Sequence, residues 1–333
     1  MGKESVRSNK NDYILEVHHL KKYYPISKLS VKKKRAYVKA VDDISFDIRR
    51  GTTMGLVGES GCGKTTVGRT ILRLHEVTQG QVLFKGQDLA KLSHGELRKM
   101  RPQMQMIFQD PYSSLSPRLP IGEIIGEAVK EHHIVPRSQY RSYILKVMRD
   151  CGLQPQYFYR YPHEFSGGQR QRISIARAVA LNPDFIICDE PLSALDVSIQ
   201  AQIINLMKDL QEQYGYTYLF ISHDLSVVEY LSDTIGVMYL GSMMETGDKK
   251  RIFANPMHPY TRALLSAVPV SDPDVKMDRV VLKGDLPSPI NPPSGCKFRT
   301  RCPNAMKVCA EKAPVLKEYE EGHTVACHLY SQT

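Results

Sequence analysis

Nine consecutive residues, Gly58-Glu59-Ser60-Gly61-Cys62-Gly63-Lys64-Thr65-Thr66, restrict what this chain can fold into more than any other stretch. Gly58, Gly63, Lys64 and Thr65 occupy the fixed places of the pattern Gly-x-x-x-x-Gly-Lys-Ser/Thr. Ahead of them, Thr53-Met54-Gly55-Leu56-Val57 reads as a short buried strand. Behind them, Val67, Ile71, Leu72 and Leu74 recur at helical spacing. Glycines let the backbone wrap until successive N–H groups converge on phosphate oxygens. A helix starting near Lys64 adds the positive end of its dipole, and the lysine reaches the outer phosphates as a point charge. The Thr65 hydroxyl is a candidate magnesium ligand. A glycine-rich turn that matches by accident is the bland alternative, and the strand–loop–helix context argues against it.

At 333 residues the chain has room for one large domain and a smaller appendage. No apolar run approaches the roughly 20 residues needed to cross a bilayer. Met1 to Asn11 is polar, without an apolar leader segment, so the expectation is a cytosolic protein. The net charge of +10 is uneven: residues 1–50 hold thirteen Lys/Arg against six Asp/Glu, including the run Lys32-Lys33-Lys34-Arg35. Such a cluster touches nucleic acid or an anionic membrane face, or is a solvated loop between strands. Of seven cysteines, four fall at 296, 302, 309 and 327, and a cytosolic setting argues against disulfides.

Tyr13-Ile14-Leu15-Glu16-Val17, Val38-Lys39-Ala40-Val41 and Ile44-Ser45-Phe46-Asp47-Ile48 read as separate strands. Strand signals this dense ahead of the loop imply an antiparallel sheet lying across a nucleotide. Tyr24 is placed to stack on a purine base, although a tyrosine there is commonly a packing residue. Gln105-Met106-Ile107-Phe108-Gln109 is a buried strand ending in polar residues, and about 121–161 reads as mostly helical core. Phe165-Ser166-Gly167-Gly168-Gln169 opens another helix, which makes a second anion site from a hydroxyl, free N–H groups and a dipole. Either both ends serve one nucleotide, or the second serves a partner's. Phe185-Ile186-Ile187-Cys188-Asp189-Glu190 is a buried strand delivering two acids at its carboxyl end. There Asp189 is placed to hold magnesium and Glu190 to polarise an attacking water. Tyr218-Leu219-Phe220-Ile221-Ser222-His223 is one more buried strand, ending in a histidine near the same sheet edge.

In order, the phosphate loop, Gln109, Ser166 to Gln169, Asp189-Glu190, Ser193-Ala194-Leu195-Asp196 and His223 resemble the nucleotide-binding subunit of an ABC transporter over about 12–270. The resemblance implies an α/β phosphate-loop NTPase core with an antiparallel β subdomain, an inserted α-helical subdomain at about 111–175, and a small cysteine-bearing region at 271–333. Carried across, residues 58–66 bind ATP, with Gly58, Glu59, Ser60, Gly61, Cys62, Gly63, Lys64, Thr65 and Thr66 all contributing. Tyr24 resembles the adenine-stacking aromatic, with Tyr23 leaving the register open by one. Thr65, Gln109 and Asp189 surround magnesium, and Glu190 is the catalytic base, aided by His223 and Lys64. Ser166, Gly167, Gly168 and Gln169 form the signature that closes on a partner's ATP; Phe165 stands where leucine is commonest. Asp196 lies in the adjoining D-loop. In this family ATP is sandwiched between two subunits, so one chain holds half of each site.

A narrower resemblance, to oligopeptide/dipeptide importer ATPases, rests on residues 109–118, residues 258–265 and the cysteine-bearing tail, and the long basic insert with Gly61-Cys62-Gly63-Lys64 resembles the second ATPase of such importers. It implies a heterodimer with a homologous ATPase, two membrane permeases and an external binding protein. The chain would be peripheral at the cytoplasmic face of the membrane, with no nucleic-acid partner. Nickel importers are close relatives, and an ABC-type ATPase acting on nucleic acid is the alternative of another class. Four thiolates, with His323 and His328 nearby, imply a metal or cluster. The family associates this region with an iron–sulfur (4Fe-4S) cluster at Cys296, Cys302, Cys309 and Cys327. The spacing matches neither the ferredoxin run nor a paired Cys-x-x-Cys zinc site, so zinc and unliganded thiols stay open.

Overall fold

Strand residues that are buried on both faces build the centre of the molecule. In the computed structural model, which describes residues 12–26, 36–268, 280, 282 and 284–330, the strands are β1 (Tyr13–Pro25), β2 (Tyr37–Arg49), β3 (Thr53–Val57), β4 (Gln79–Phe84), β5 (Gln87–Asp88) and β6 (Met104–Ile107). They continue with β7 (Phe185–Asp189), β8 (Thr217–Ile221), β9 (Thr234–Tyr239), β10 (Ser242–Asp248), β11 (Lys317–Glu320) and β12 (His323–Val325). The run Lys32 to Arg35, the segment Met1 to Asn11 and the boundary between 270 and 271 lie outside the described residues.

One sheet has the order β11-β12-β10-β9-β3-β8-β7-β6, parallel from β6 through β9. Alternation along its strands divides the core. Phe185 and Ile187 of β7, with Leu219 and Ile221 of β8, join one apolar cluster. Ile186, Cys188, Tyr218 and Phe220 join the other. Both faces are therefore covered, as parallel sheets require. The first cluster is closed by the antiparallel sheet β2-β1-β4-β5 and the helix Lys64–Ile71. The second is closed by the helices Ile121–Glu131, Tyr140–Asp150 and Gly167–Val179.

The N-terminal strands differ from the sequence expectation. Where the sequence signals separate short strands, β1 and β2 each run unbroken for 13 residues. His18-His19 and Asp42-Asp43 look like breaks, but they are bulges. Register shifts fall at Val17/Leu20 and Leu20/Lys21, where His19 and Asp43 take left-handed backbone (φ 49° and 67°). Each bulge absorbs one extra residue without ending the strand, and the two side chains meet at 2.8 Å.

The tail completes the large sheet, because β12 pairs antiparallel with β10 and β11 pairs with β12. At that seam the buried Glu245 carboxylate accepts from the backbone N–H groups of Met257 (2.7 Å) and His258 (2.9 Å) and contacts His323 Nε2 at 2.7 Å. His258 in turn caps the helix Pro259–Ser266 by accepting from Tyr260 N–H through Nδ1 at 3.0 Å. That bond requires the neutral ring, and burial holds its pKa down at about 3. The unfolded chain takes up a proton at this residue below about pH 6.5 while the folded chain resists, so its contribution to stability shrinks as pH falls from 6.5 toward 3. At pH 5 the loss is about 2 kcal/mol. Substituting His258→Asn keeps a capping side chain and removes the titration; urea midpoints between pH 7.5 and 5 are expected to fall less steeply in that variant than in the parent.

Candidate functional site

The loop between β3 and the helix Lys64–Ile71 is shaped by glycines that no side chain can replace. Gly58 and Gly63 have φ of 150° and 106°. A Cβ at Gly63 would stand 2.1 Å from the Ala40 carbonyl oxygen, and one at Gly58 2.2 Å from that of Met238. The loop is thus clamped between the antiparallel sheet and the end of β9. Lys64 is buried (4% exposed), and its Nζ donates to the carbonyls of Gly58 (2.7 Å) and Glu59 (3.2 Å), which lays its charge along the inside of the loop. Cys62, also buried, has a thiol pKa raised by desolvation, as an inert filler would.

Strands β7 and β8 bring the acids and the histidine to the same edge. Thr65 Oγ1 donates to Asp189 Oδ1 at 2.7 Å. Asp189 is fully buried, its pKa is raised by desolvation, and its Oδ2 has no hydrogen-bond partner. The Arg69 guanidinium lies 4.0 Å from that oxygen. A desolvated carboxylate with one free oxygen beside a threonine hydroxyl suits a hard divalent cation. Glu190, one residue on, sits in left-handed backbone at φ 46°. Its Oε2 accepts from Gln109 Nε2 at 3.1 Å and lies 3.3 Å from His223 Nδ1. Non-glycine residues held there carry strain and cluster at functional sites.

These groups surround a cavity of about 230 Å³ lined by Ser60, Gly61, Gly63, Lys64, Thr65 and Thr66 together with Gln109 and Glu190. Tyr24 stands at the rim of the loop. Its hydroxyl is in hydrogen-bond contact with Thr66 and its ring packs edge-on to His75 at 5.7 Å. The Tyr23 hydroxyl instead bonds Asp42. Residues 166–169 do not line this cavity. Ser166 caps the helix Gly167–Val179 reciprocally with Gln169. Ser166 and Gly167 are exposed, whereas Phe165 and Gly168 are buried. Asp196 caps the helix Val197–Tyr214 alongside, accepting from Ile199 N–H at 3.0 Å, and Ser198 and Ile199 hold its carboxyl below the usual range. A Cβ on Gly168 would stand 2.5 Å from Ile199 Cγ2, so the two helix starts pack closely and their caps form one ledge.

The structure adds cavity walls that sequence reasoning missed: Val38, Lys39, Ala40, Leu240, Gly241 and Pro289. None belongs to a motif; only the Leu240-Gly241 pair between β9 and β10 hints at a tight turn. In the tail, Cys296, Cys302, Cys309 and Cys327 lie within electrostatic range of one another, and burial first, then the neighbouring thiols, push Cys296 up to about 11. Among the described residues, no three of these sulfurs come within 4.8 Å of one another. His323 and His328 point elsewhere, to Glu245 and the Lys312 carbonyl.

A phosphate loop beside paired acids on a mostly parallel sheet, with an antiparallel sheet and a helical insert, defines an ATP-hydrolysing cassette of the ABC class. Residues 41–193 match the family described as ABC transporter, and residues 244–309 match that described as Oligopeptide/dipeptide transporter, C-terminal region. The chain is 56% identical over 321 residues, 96% of its length and 98% of the relative's, to the oligopeptide transport ATP-binding protein AppF of Bacillus subtilis (strain 168). Among solved structures, cbiO1 from Clostridium perfringens, part of the cbiONQ transporter complex, superposes with a TM-score of 0.64 at 26% identity, covering 73% of this chain and 92% of that one. The cassette MJ0796, a dimer bound to ADP and Pi, gives 0.62 at 26% identity, covering 71% and 98%. The chain belongs to the ATP-binding subunits of the oligopeptide transporter family. Among the described residues no helix is long and apolar enough to cross a membrane.

Gly63→Ala tests the loop geometry directly. With backbone on the far side and a left-handed φ, the methyl group has nowhere to go, so ATP affinity measured by equilibrium fluorescence is expected to fall at least tenfold.

Proposed function

We propose that this chain is the ATP-driven half-engine of a peptide importer, and that it works paired with a homologous ATPase beneath two membrane permeases fed by an external binding protein. The observation that carries the reading is the separation within one chain of two anion-binding surfaces. The cavity over Lys64 and Thr65 is lined by Glu190, while the capped Ser166 is exposed and lies outside that lining. ATP seated on the loop of one subunit is then closed by the Ser166 ledge of another, and the dimeric cassette among the structural relatives supports that arrangement.

Within the sandwich, Tyr24 flanks the base and the loop N–H groups with Lys64 hold the phosphates. Thr65 and Asp189, with Gln109 nearby, would hold magnesium, which neutralises charge on the transferring phosphoryl group. Glu190 orients the attacking water and takes its proton, Gln109 and His223 fix the Glu190 carboxylate, and Asp196 sets the ledge. Loss of the γ-phosphate contacts lets the subunits part, which moves the permeases. Peptide cargo follows the names of relatives such as AppF; nickel is the alternative cargo for the same machine. Glu190→Gln is expected to lower ATP turnover on the order of 10²–10⁴-fold while ATP binding persists. Uptake of labelled di- and oligopeptides should stop in cells carrying that variant and continue with the parent chain. Nickel uptake alone depending on the chain would change the cargo; nucleic acid co-purifying in place of permeases would overturn the importer reading.

For the four tail thiols we propose an iron–sulfur cluster, with zinc as the alternative. A 4Fe-4S cluster at Cys296, Cys302, Cys309 and Cys327 would cross-link a segment whose own apolar core is small. Protein purified without oxygen is expected to be brown and to hold iron; a colourless sample containing zinc overturns the cluster.

A further inference from the structure

Glu59, the second residue of the phosphate loop, is held at its backbone by the helix Pro259–Ser266 and at its side chain by the tail. Its N–H donates to the Tyr260 hydroxyl at 2.9 Å, and its carboxylate pairs with Arg301 at 2.7 Å. The Arg301 side chain is 10% exposed and that of Glu59 27%, so water screens the pair only in part. Tyr260 is fully buried, and its ring packs on Tyr239 (4.9 Å) and on Phe298 (5.3 Å). Phe298 and Arg301 both lie between Cys296 and Cys302. The same segment holds the cavity wall: Lys297 Nζ donates to the Leu240 carbonyl (2.9 Å), to Ser242 Oγ (2.7 Å) and to Asp42 Oδ2 (2.8 Å). Gly241, next to Leu240, donates its N–H to the Cys62 carbonyl at 2.8 Å, inside the phosphate loop.

We propose that the four-cysteine module braces the phosphate loop from behind, with Arg301 as a positioning residue that fixes Glu59, so that loosening the module lowers ATP affinity. Two physical effects act together. The ion pair fixes the start of the loop, where the N–H groups must converge. It also neutralises a carboxylate set among groups that receive a polyanion, where an unpaired negative charge would oppose binding. The inference rests on residues 58–66 being the ATP site.

Equilibrium titration of the full-length chain with a fluorescent ATP analogue and magnesium tests it, using Arg301→Gln, Arg301→Lys, Glu59→Gln, the double variant Glu59→Gln/Arg301→Gln, and Cys302→Ser alone and with Arg301→Gln. Circular dichroism and urea midpoints report whether each variant folds. Arg301→Gln is expected to weaken binding about tenfold, within the range of second-site couplings, and Arg301→Lys to recover most of it. The double variant should lose no more than the worse single. Cys302→Ser should weaken binding in the parent and add nothing once Arg301 is gone, and amide exchange at 58–66 should rise in Arg301→Gln while β7 stays protected. Unchanged affinity in a folded Arg301→Gln protein, fully additive losses at 59 and 301, or a Cys302→Ser effect independent of Arg301 would each overturn the brace. A parent chain that binds no nucleotide would remove the ATP-site reading itself.

Discussion

The structure depends on a carboxylate forced out of water. Asp189 ends a strand with apolar residues on both faces, and among the described residues the sole hydrogen-bond partner of its carboxylate is the hydroxyl of Thr65, from the first turn of the helix after the phosphate loop. Burying that charge is unfavourable unless a cation and hydrogen bonds offset it. The fold supplies only part of the offset through Arg69 at 4.0 Å. The remaining deficit leaves an oxygen suited to a hard divalent cation. It also explains why β3, β7 and β8 must lie side by side: only adjacent parallel strands place Thr65, Asp189, Glu190 and His223 on one sheet edge.

Glu190 adds a second layer to the same edge. Its left-handed backbone turns the side chain out of the strand direction toward Gln109 and His223. Gln109 follows β6, at the edge of the parallel array, and leads into the helical insert, while His223 follows β8. The carboxylate therefore joins contributions from three strand ends, and a shift of the helical insert would be felt at Glu190 through Gln109. The Ser166 and Asp196 caps share a ledge built on close contact between Gly168 and Ile199, so their spacing is as rigid as the two helices they start.

Much of this was legible in the sequence because the signals are local. The phosphate loop, the acids after Cys188 and the Ser-Gly-Gly cap each announce themselves within ten residues, and buried parallel strands read as apolar runs. Strand lengths at the N-terminus were misjudged because polar pairs that form bulges look like turn residues. What escaped were long-range contacts made by residues outside any motif. Arg301 meets Glu59 across 242 residues and Lys297 meets Asp42 across 255. No spacing rule links such pairs, and Glu59 itself occupies a position the loop pattern leaves free.

The seam at Glu245 has a consequence for how the protein is made. Its buried carboxylate waits for His323, 78 residues further along, and β10 waits as long for β12. At a ribosomal pace of about 5–20 residues per second, that open rung persists for roughly 4–16 s in every nascent copy. During that interval an acid destined for the interior remains hydrated and a strand rim is available to stray pairing. Newly made copies would thus be vulnerable until β12 emerges, and its rapid capture would protect the yield of working protein.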